Sequence, residues 1–433
     1  LPALTVPQEI KSNLSPWKPS SEVIEVNKDA VMWAVDGKDD RSVAFAARLL
    51  EQNIQVRIVD KDSVLSGHNL SRGSVTVIAM DNPNSADLHE IINTAATDLN
   101  ISVVSIESGF GPQELPDWGG RHFRLLKKPQ IAILSHSGFS SYDVGVSWWS
   151  LDHNLGIRHS QLNSSLTGYG DLRRYNTIIL PSGSPDLSNY AKDILMDWVK
   201  QGGTLIANNR STRSIISNDI GSVKNLNNTF DKSKNFSFDL MREIYSKEEY
   251  IDISDANVNI VSTEITYPWE TTDITYSKEE LEMRDKWQST LMPSGGIVSA
   301  RADNEHWLTF GTEDVVPVLY GNYPILMTGG NSEAALRIGE LLPNKESETK
   351  TINWSQIPSG YDLSVRMSGL VWPEASQRIA NSAYLTREKI GKGQIILFSG
   401  EPNFRGSALG TNRLWLNAVV YGSGLGTNSL VTP

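Results

Sequence analysis

Short apolar runs alternate with amphipathic stretches along much of this sequence, and this alternation restricts the fold more than any other feature. The run AVMWAVD is followed by RSVAFAARLLEQN, which has helical spacing, and then by IQVRIVD. A second series begins at Pro129 with PQIAILSHS, SYDVGVSWWSLDHNLG and YNTIILPSGSPD. Short continuous apolar strands joined by helices are typical of parallel sheets that are covered on both faces. The sequence therefore predicts an α/β protein with two doubly wound, mostly parallel sheets.

The same pattern suggests where the parts of the chain begin and end. Residues 1–27 contain four prolines and are predicted to form a linker. Residues 28–128 are expected to form a small α/β domain, and residues 129–433 a second one. A polar stretch at about 214–300, followed by strand-like segments, predicts a β-rich insertion in the second domain. Ser188 and Thr411 are predicted to cap helices of that domain.

Composition excludes several classes of partner. The formal net charge of -11 argues against nucleic acid, because nucleic-acid binding needs a basic face. No apolar run approaches the roughly 20 residues that span a bilayer, so no membrane insertion is expected. The chain has no cysteine, which removes disulfides, thiolate metal sites and cysteine nucleophiles. A cysteine-free chain that begins at Leu1 suggests a processed piece of an exported bacterial protein, secreted or periplasmic.

Motifs for metal, nucleotide and serine chemistry are absent from the sequence. None of the seven histidines has a histidine or glutamate at the helical spacing that lets two ligands share one face. There is no Gly-x-Ser-x-Gly and no glycine-rich phosphate loop after a strand. The prediction is therefore no metal, no cofactor and no catalytic residue recognisable by motif.

Two polar clusters at the ends of apolar strands are the candidate ligand-binding residues. Ligands of open α/β sheets bind outside the carboxyl ends of the strands, which is where both clusters are expected. The candidates are Asn208, Asn209 and Arg210 after TLIA, and Glu401, Asn403 and Arg405 in FSGEPNFRG. The competing interpretation is that Glu401 forms an ion pair with Arg405 and that Arg405 only stabilises the turn by hydrogen bonds.

The second series resembles the class I glutamine amidotransferase-like fold, which is flavodoxin-like. The segments that carry this resemblance are YNTIILPSGSPD, GGTLIANN and FSGEPNFRG. The resemblance implies that the nucleophile position falls within Asn208 to Arg210. It further implies that Glu401 replaces the catalytic histidine and Asn403 the glutamate. Without a thiol or an imidazole at these positions, glutaminase chemistry is not expected.

A longer resemblance links the chain to large bacterial zinc carboxypeptidases of the carboxypeptidase A type, at their C-terminal amidotransferase-like region. It covers DWGGRHFRLLKKPQIAIL, GGTLIANN and GKGQIILFSGEPNFRGSALGTNRLWLNAVVYG. The last stretch carries most of the resemblance, with matches at Phe404, Arg405, Gly406, Gly410, Thr411, Leu414 and Asn417. No His-x-x-Glu occurs in this chain, so the resemblance implies a peptidase domain N-terminal to it in the same polypeptide, and no zinc ligand is carried over.

Three functional hypotheses follow from these observations. The first is a non-catalytic accessory module that packs on a zinc carboxypeptidase-like domain or binds a peptide or cell-wall ligand. The second is a stand-alone hydrolase that uses Glu401 at a degenerate amidotransferase-type site. The third is a carbohydrate-binding module, which requires several tryptophan rings on one open surface.

Overall fold

The first part of the chain folds into a five-stranded antiparallel sheet with two helices. In this computed structural model, residues 26–112, 115–163, 171–185, 187–226, 278–346, 348, 350–352 and 355–427 are described. The helices of this first unit are α1 (Arg41–Glu51) and α2 (Leu88–Leu99). Its strands are β1 (Met32–Val35), β2 (Arg57–Val59), β3 (Ser63–Leu65), β4 (His68–Leu70), β5 (Val75–Ile78), β6 (Val104–Ile106) and β7 (Phe123–Leu125).

The strand order of this sheet corrects the expectation of a parallel sheet. The order is β6-β1-β5-β2-β7, and every pair in it is antiparallel. The β3–β4 hairpin reverses the chain after β2, so β5 enters between β1 and β2. The strands of the β1–α1–β2 unit are separated by β5, and those of the β5–α2–β6 unit by β1. This is the split, ferredoxin-like arrangement. The predicted strands and helices of this region exist, but their expected pairing is wrong.

A second, larger sheet contains most of the remaining strands. Its parallel half consists of β8 (Ile131–Ser135), β9 (His159–Asn163), β10 (Thr177–Leu180), β11 (Thr204–Asn208) and β23 (Gly393–Phe398). These five strands lie in the order β9-β8-β10-β11-β23 with parallel pairing throughout. Numbered along the chain, this is the flavodoxin-like order 2-1-3-4-5. The mixed α/β class predicted from the sequence is thus confirmed.

Antiparallel strands extend the same sheet beyond β23. They include β13 (Gly296–Ala302), β14 (Val315–Tyr320), β16 (Ser332–Ile338), β21 (Arg366–Ser368) and β22 (Ala383–Ile390), and the short β12 (Lys224–Asn225) and β15 (Leu326–Met327) pair beside them. Two small hairpin sheets lie apart, formed by β17 (Glu340–Pro343) with β20 (Tyr361–Ser364) and by β18 (Lys350–Ile352) with β19 (Ser355–Ile357). Much of the segment predicted to be a polar insertion, residues 227–277, lies outside the described residues, as does most of the predicted linker.

The helices of this part follow the strands of the parallel half or precede the antiparallel ones. They are α3 (Ser141–Trp149), continued by a π-helical turn (Ser150–Leu155), α4 (Asn189–Lys200), α5 (Arg210–Ser217), α6 (Lys278–Thr290), α7 (Pro373–Ile379) and α8 (Leu409–Leu425). Ser188 caps α4 as predicted, because its side chain accepts a hydrogen bond from the Ala191 N–H. Thr411 lies inside α8 and bonds the Pro402 carbonyl, so its predicted capping role is wrong.

Helix α8 joins the two units through two buried polar side chains. Arg413 is 2% exposed, and its guanidinium donates to the backbone oxygens of Gly37 (2.8 Å) and Asp39 (2.9 Å) and to Asn417 Oδ1 (3.1 Å). Asn417 in turn donates from Nδ2 to the backbone oxygen of Phe310 at 2.8 Å. One turn of α8 thus holds a loop of the first unit and a loop of the second in fixed positions. One continuous apolar cluster surrounds this contact and draws residues from both units.

Candidate functional site

The parallel strands end at one edge of the large sheet and bring the sequence candidates close to one another. Strand β11 ends at Asn208, and Asn209 and Arg210 follow it directly. Strand β23 ends at Phe398 and pairs with β11, so Glu401 emerges beside Asn209. The parallel register predicted from the sequence is therefore what positions these side chains at the same edge.

Asn209 lies on a sharp turn between strand and helix. Its backbone has φ +46° and ψ −107°, an unfavourable conformation for a residue with a side chain. The turn is stabilised by the Asn209 N–H, which donates to the Phe398 carbonyl at 3.1 Å. A strained turn of this kind presents the nucleophile in α/β hydrolases. Here it presents an amide, and Asn209 Nδ2 donates to Glu401 Oε1 at 2.8 Å.

Glu401 also interacts with a second carboxyl group, that of Asp143. Asp143 lies in the first turn of α3, where its N–H donates to the side chain of Ser140. Burial raises the pKa of Glu401, and the neighbouring Asp143 charge and hydrogen bond raise it further. Burial also raises the pKa of Asp143, against the opposing effect of Ser140 and of Glu401 as a hydrogen-bond donor. Two neighbouring carboxyls retain a proton to higher pH than an isolated carboxyl would, and this titration belongs to the pair.

One cation lies near this pair of acids. The positive charge of Arg210 lowers the pKa of both Asp143 and Glu401, which shows that its guanidinium lies within electrostatic reach of each. Arg210 is exposed, whereas Asp143 and Glu401 are each partly buried. The effect of burial is larger than that of Arg210, so the net shift of both acids remains upward. The site therefore has an exposed positive side and a partly buried acid pair whose pKa values are raised.

Aromatic rings form the wall next to Glu401. Gly400 has no side chain, and a Cβ there would come within 2.7 Å of Tyr323 Cε2 and 3.1 Å of Tyr384 Cε2. Burial raises the pKa of Tyr323, and the nearby charge of Glu401 raises it further, so the phenol stays neutral. Neutral phenol rings against the acid pair reduce its exposure to water, which is one cause of the raised carboxyl pKa values.

The remaining sequence candidates lie away from the acid pair. Asn403 is buried and donates to Ser150 Oγ at 3.4 Å, so it holds the turn against the π-helical segment. Arg405 is exposed, and its guanidinium carbon lies 5.1 Å from the centroid of the Phe404 ring. The expected Glu401–Arg405 ion pair does not form, because Glu401 interacts with Asn209 and Asp143 instead. Within the described ranges Arg405 makes no side-chain hydrogen bond, so its expected role in holding the turn is also wrong.

Two features of the site differ from a simple reading of the sequence. Asn208 is buried at 3% exposure, and its Oδ1 has no hydrogen-bond partner in the described part of the chain. Asp143 was not recognised as a candidate, although it follows the first strand of the parallel series. The rule that selected Asn209 and Glu401 also applies to the loop after β8, and searching there for acids would have found it.

The described residues contain neither a metal-ligand cluster nor a helix that could span a membrane. Among the described ranges, no group of three or more histidine, aspartate or glutamate side chains is close enough to hold a metal ion. None of the helices described is long and apolar enough to cross a bilayer. Of the tryptophans in the described part, only Trp148 is more than about a third exposed. The surface of several tryptophan rings that a carbohydrate-binding module requires is thus not found there.

Comparison with known proteins adds little to the sequence resemblance. No family model matches the chain, and no curated protein matches it. Similar solved structures include a putative ThuA-like protein from Parabacteroides merdae ATCC 43184, at 10% identity and a TM-score of 0.37, covering 71% of this chain and 94% of that one. A putative GMP synthase subunit from Thermoplasma acidophilum is similar at 9% identity and a TM-score of 0.32. That match covers 67% of this chain and 94% of the subunit.

A β-galactosidase from Bacillus circulans sp. alkalophilus is also similar, at 12% identity and a TM-score of 0.30. The match covers 70% of this chain, which spans about a third of the length of that enzyme, 32%. With TM-scores and identities this low, these structures carry no inference about activity, and the strand order itself defines the class: an α/β chain with a flavodoxin-like parallel core.

The acid pair predicts a specific dependence of stability on pH. The pKa of Glu401 lies above its ordinary value of 4.5, so the folded state keeps this proton to higher pH than the unfolded state. The stability contributed by the proton is complete below about pH 4.5 and is lost as the pH rises through the folded pKa. Glu401→Gln keeps the shape of the protonated acid but cannot lose its proton. We therefore expect the free energy of unfolding of this variant to fall less than that of the wild type as the pH rises.

Urea unfolding at intervals from about pH 4 to pH 8 measures this difference. Glu90→Gln is the matched control, because Glu90 is exposed on α2 and should give the wild-type pH profile. Parallel profiles for Glu401→Gln and the wild type would contradict the shared proton.

Proposed function

We propose that this chain is a non-catalytic binding module with a degenerate amidotransferase-type site, belonging to an exported zinc carboxypeptidase-like protein. Its ligand is a peptide or a peptide-bearing cell-wall fragment, bound at the edge formed by Asp143, Asn209 and Glu401. The peptidase domain of the same polypeptide is the expected neighbour, and the location is secreted or periplasmic. The carboxypeptidase part of this proposal rests on the sequence resemblance of DWGGRHFRLLKKPQIAIL, GGTLIANN and residues 391–422.

The hydrogen bond from Asn209 to Glu401 is the observation that carries the proposal. By resemblance, the nucleophile position falls within Asn208 to Arg210, and Glu401 is at the position of the catalytic histidine. Within that set, Asn209 lies on the strained turn and contacts Glu401. Their 2.8 Å contact is the geometry of a nucleophile and its base, which supports this assignment. An amide cannot attack a carbonyl carbon as a thiolate can, so the pair retains the arrangement of an active site without its chemistry.

The polar groups of the site favour a neutral, hydrogen-bonding ligand. A protonated Glu401 can donate a hydrogen bond, whereas an ionised Asp143 accepts them. Amide groups carry one donor and one acceptor and match this mixture. Arg210, at the exposed side, suits a carboxylate at one end of such a ligand.

A second candidate function is supported by the acid pair itself. Two carboxyls that share a proton can act as acid and base on a bound water, as in other two-carboxyl hydrolases. In this candidate the chain is a stand-alone hydrolase, with Glu401 and Asp143 as the acid–base pair. It requires a water and a scissile bond beside Glu401, whereas the binding module requires neither.

Co-sedimentation with purified bacterial peptidoglycan tests the binding function. We expect wild-type chain to sediment with it and the double variant Asp143→Asn, Glu401→Gln to bind about tenfold more weakly, because the pair loses its ability to exchange donors and acceptors. Glu90→Gln is the control and should bind as the wild type does. Absence of wild-type binding, or equal binding of the double variant, would refute the proposal.

The same samples distinguish the second candidate. Soluble fragments, amino acids or ammonia released by the wild type, and not by Glu401→Gln, would replace the binding module with the hydrolase. Release that persists in Glu401→Gln would point to a contaminant, and the outcome of the sedimentation experiment would then decide the question.

A further inference from the structure

A cavity between the two units is the strongest unassigned feature of the molecule. It has a volume of about 480 Å³ and is bounded by the β1–α1 loop, the β3–β4 hairpin region and the segment between β13 and β14. Ligand sites of small molecules commonly have volumes of roughly 300–1,000 Å³ and favour the boundary between two units. The buried contacts of Arg413 with Gly37 and Asp39, and of Asn417 with Phe310, hold two of its walls in place.

Among the side chains that line this cavity, Arg72 has a buried polar atom without a hydrogen-bond partner among the described residues. Its guanidinium lies over the Phe310 ring, 5.7 Å from the centroid, and packs on it as a cation on an aromatic face. Its Nε is buried and has no hydrogen-bond partner in the described part of the chain. A buried guanidinium nitrogen without a partner is costly, and the guanidinium carries four further N–H donors from which an anionic ligand group in the cavity can accept.

The charges around the cavity are balanced. Lys38 and Arg72 are positive, Asp62 and Asp314 are negative, and no other ionisable side chain of the described residues lines the cavity, so the net charge is zero. Asp62 Oδ1 accepts a hydrogen bond from the backbone N–H of Arg72 at 2.8 Å. Asp314 Oδ1 accepts one from the side-chain amide of Asn304 at 2.6 Å. Each of these bonds uses one oxygen of its carboxylate, and a second oxygen remains on each. A dianion such as phosphate would be repelled by the two carboxylates. A ligand that carries one positive and one negative group could pair with both the acidic and the basic side chains.

We propose that this cavity is a binding site for a small zwitterion, a free amino acid or an unblocked short peptide. Arg72 and Lys38 bind its carboxylate, and Asp62 and Asp314 bind its ammonium group. The Phe310 ring packs against the Arg72 guanidinium and keeps it in position. The site is separate from the acid pair of Glu401 and does not depend on the function proposed for that pair. Its occupation would tie the first unit more firmly to the second, because both contribute to the walls.

Calorimetric titration with unblocked dipeptides tests this site. The probes are L-Ala-L-Leu, L-Ala-L-Glu and L-Ala-L-Lys, each beside its N-acetylated and its C-amidated form, with inorganic phosphate as a further probe. We expect at least one unblocked dipeptide to bind, and both of its blocked forms to bind at least about tenfold more weakly. No binding of any unblocked dipeptide at about 10 mM, equal binding of a blocked form, or tighter binding of phosphate would overturn the proposal.

Variants of the cavity complete the test. Arg72→Met keeps the stem on Phe310 and removes the donors, and Lys38→Met changes an exposed side chain that the fold does not need. Each variant should bind the dipeptide more weakly, at least about tenfold for Arg72→Met and less for Lys38→Met. Their melting midpoints should stay close to that of the wild type. Arg173→Met is the matched control, since Arg173 is 82% exposed and lies outside the cavity. Unchanged binding by Arg72→Met would overturn the proposal.

Discussion

Arg413→Met is expected to destabilise the folded chain by about 3–5 kcal/mol, because several hydrogen-bond acceptors lose their donor at roughly 1–3 kcal/mol each. The substitution removes the guanidinium that donates to the buried backbone oxygen of Gly37 and to the partly buried one of Asp39. It also frees Asn417, whose amide holds the Phe310 carbonyl. The cost is large because a single side chain serves both units.

Urea unfolding of Arg413→Met beside Arg405→Met measures this cost. Both arginines lie in residues 391–422, but Arg405 is exposed and its guanidinium lies over the Phe404 ring. Arg405→Met should change the free energy of unfolding by less than about 0.5 kcal/mol. Similar losses of unfolding free energy in the two variants would show that the buried hydrogen bonds of Arg413 add no stability beyond that of an exposed arginine.

Gly311→Ala is expected to cost about 2–4 kcal/mol, from backbone strain and from overlap with neighbouring atoms. Gly311 has φ +76°, and a Cβ there would overlap the Gly37 carbonyl oxygen and the Arg413 guanidinium. Neither atom has room to move, because each is held by the hydrogen bond between them. The two units approach each other closely at this glycine.

Gly67→Ala separates the two causes of that loss. Gly67 has nearly the same backbone angle, φ +79°, but a Cβ there would have nothing within 4 Å. It should therefore cost only about 1 kcal/mol, the strain of the left-handed conformation. If the two variants unfold with equal free energies, the close approach at Gly311 does not contribute to stability.

Strand positions could be predicted from the sequence, whereas strand partners could not. The run AVMWAVD contains β1, and IQVRIVD contains β2, as the apolar pattern indicates. The same pattern is compatible with β1 beside β2 or with β5 between them, because periodicity records which face is buried and not which neighbour lies alongside. The hairpin of β3 and β4 decides the matter, and its strands are too short to be recognised.

The candidate site was predicted in part for a similar reason. Asn209 and Glu401 were found because each follows an apolar strand, and parallel pairing of β11 with β23 brings them together. Asn403 follows Glu401 by two residues, but the turn directs it inward to Ser150. Side-chain direction within a turn depends on backbone angles, such as the positive φ of Arg405, that apolar periodicity does not encode.

The position of β23 has a consequence for how the chain is made. This strand lies between β11 and β22 in the middle of the large sheet, yet it comes almost two hundred residues after β11 along the chain. During synthesis the four earlier parallel strands present the buried segment Thr204–Asn208 as an open edge, a surface prone to wrong pairing. Closing the sheet also requires a very long loop, which slows folding. A growing chain thus acquires its central strand last, and the two halves of the large sheet become stable together or not at all.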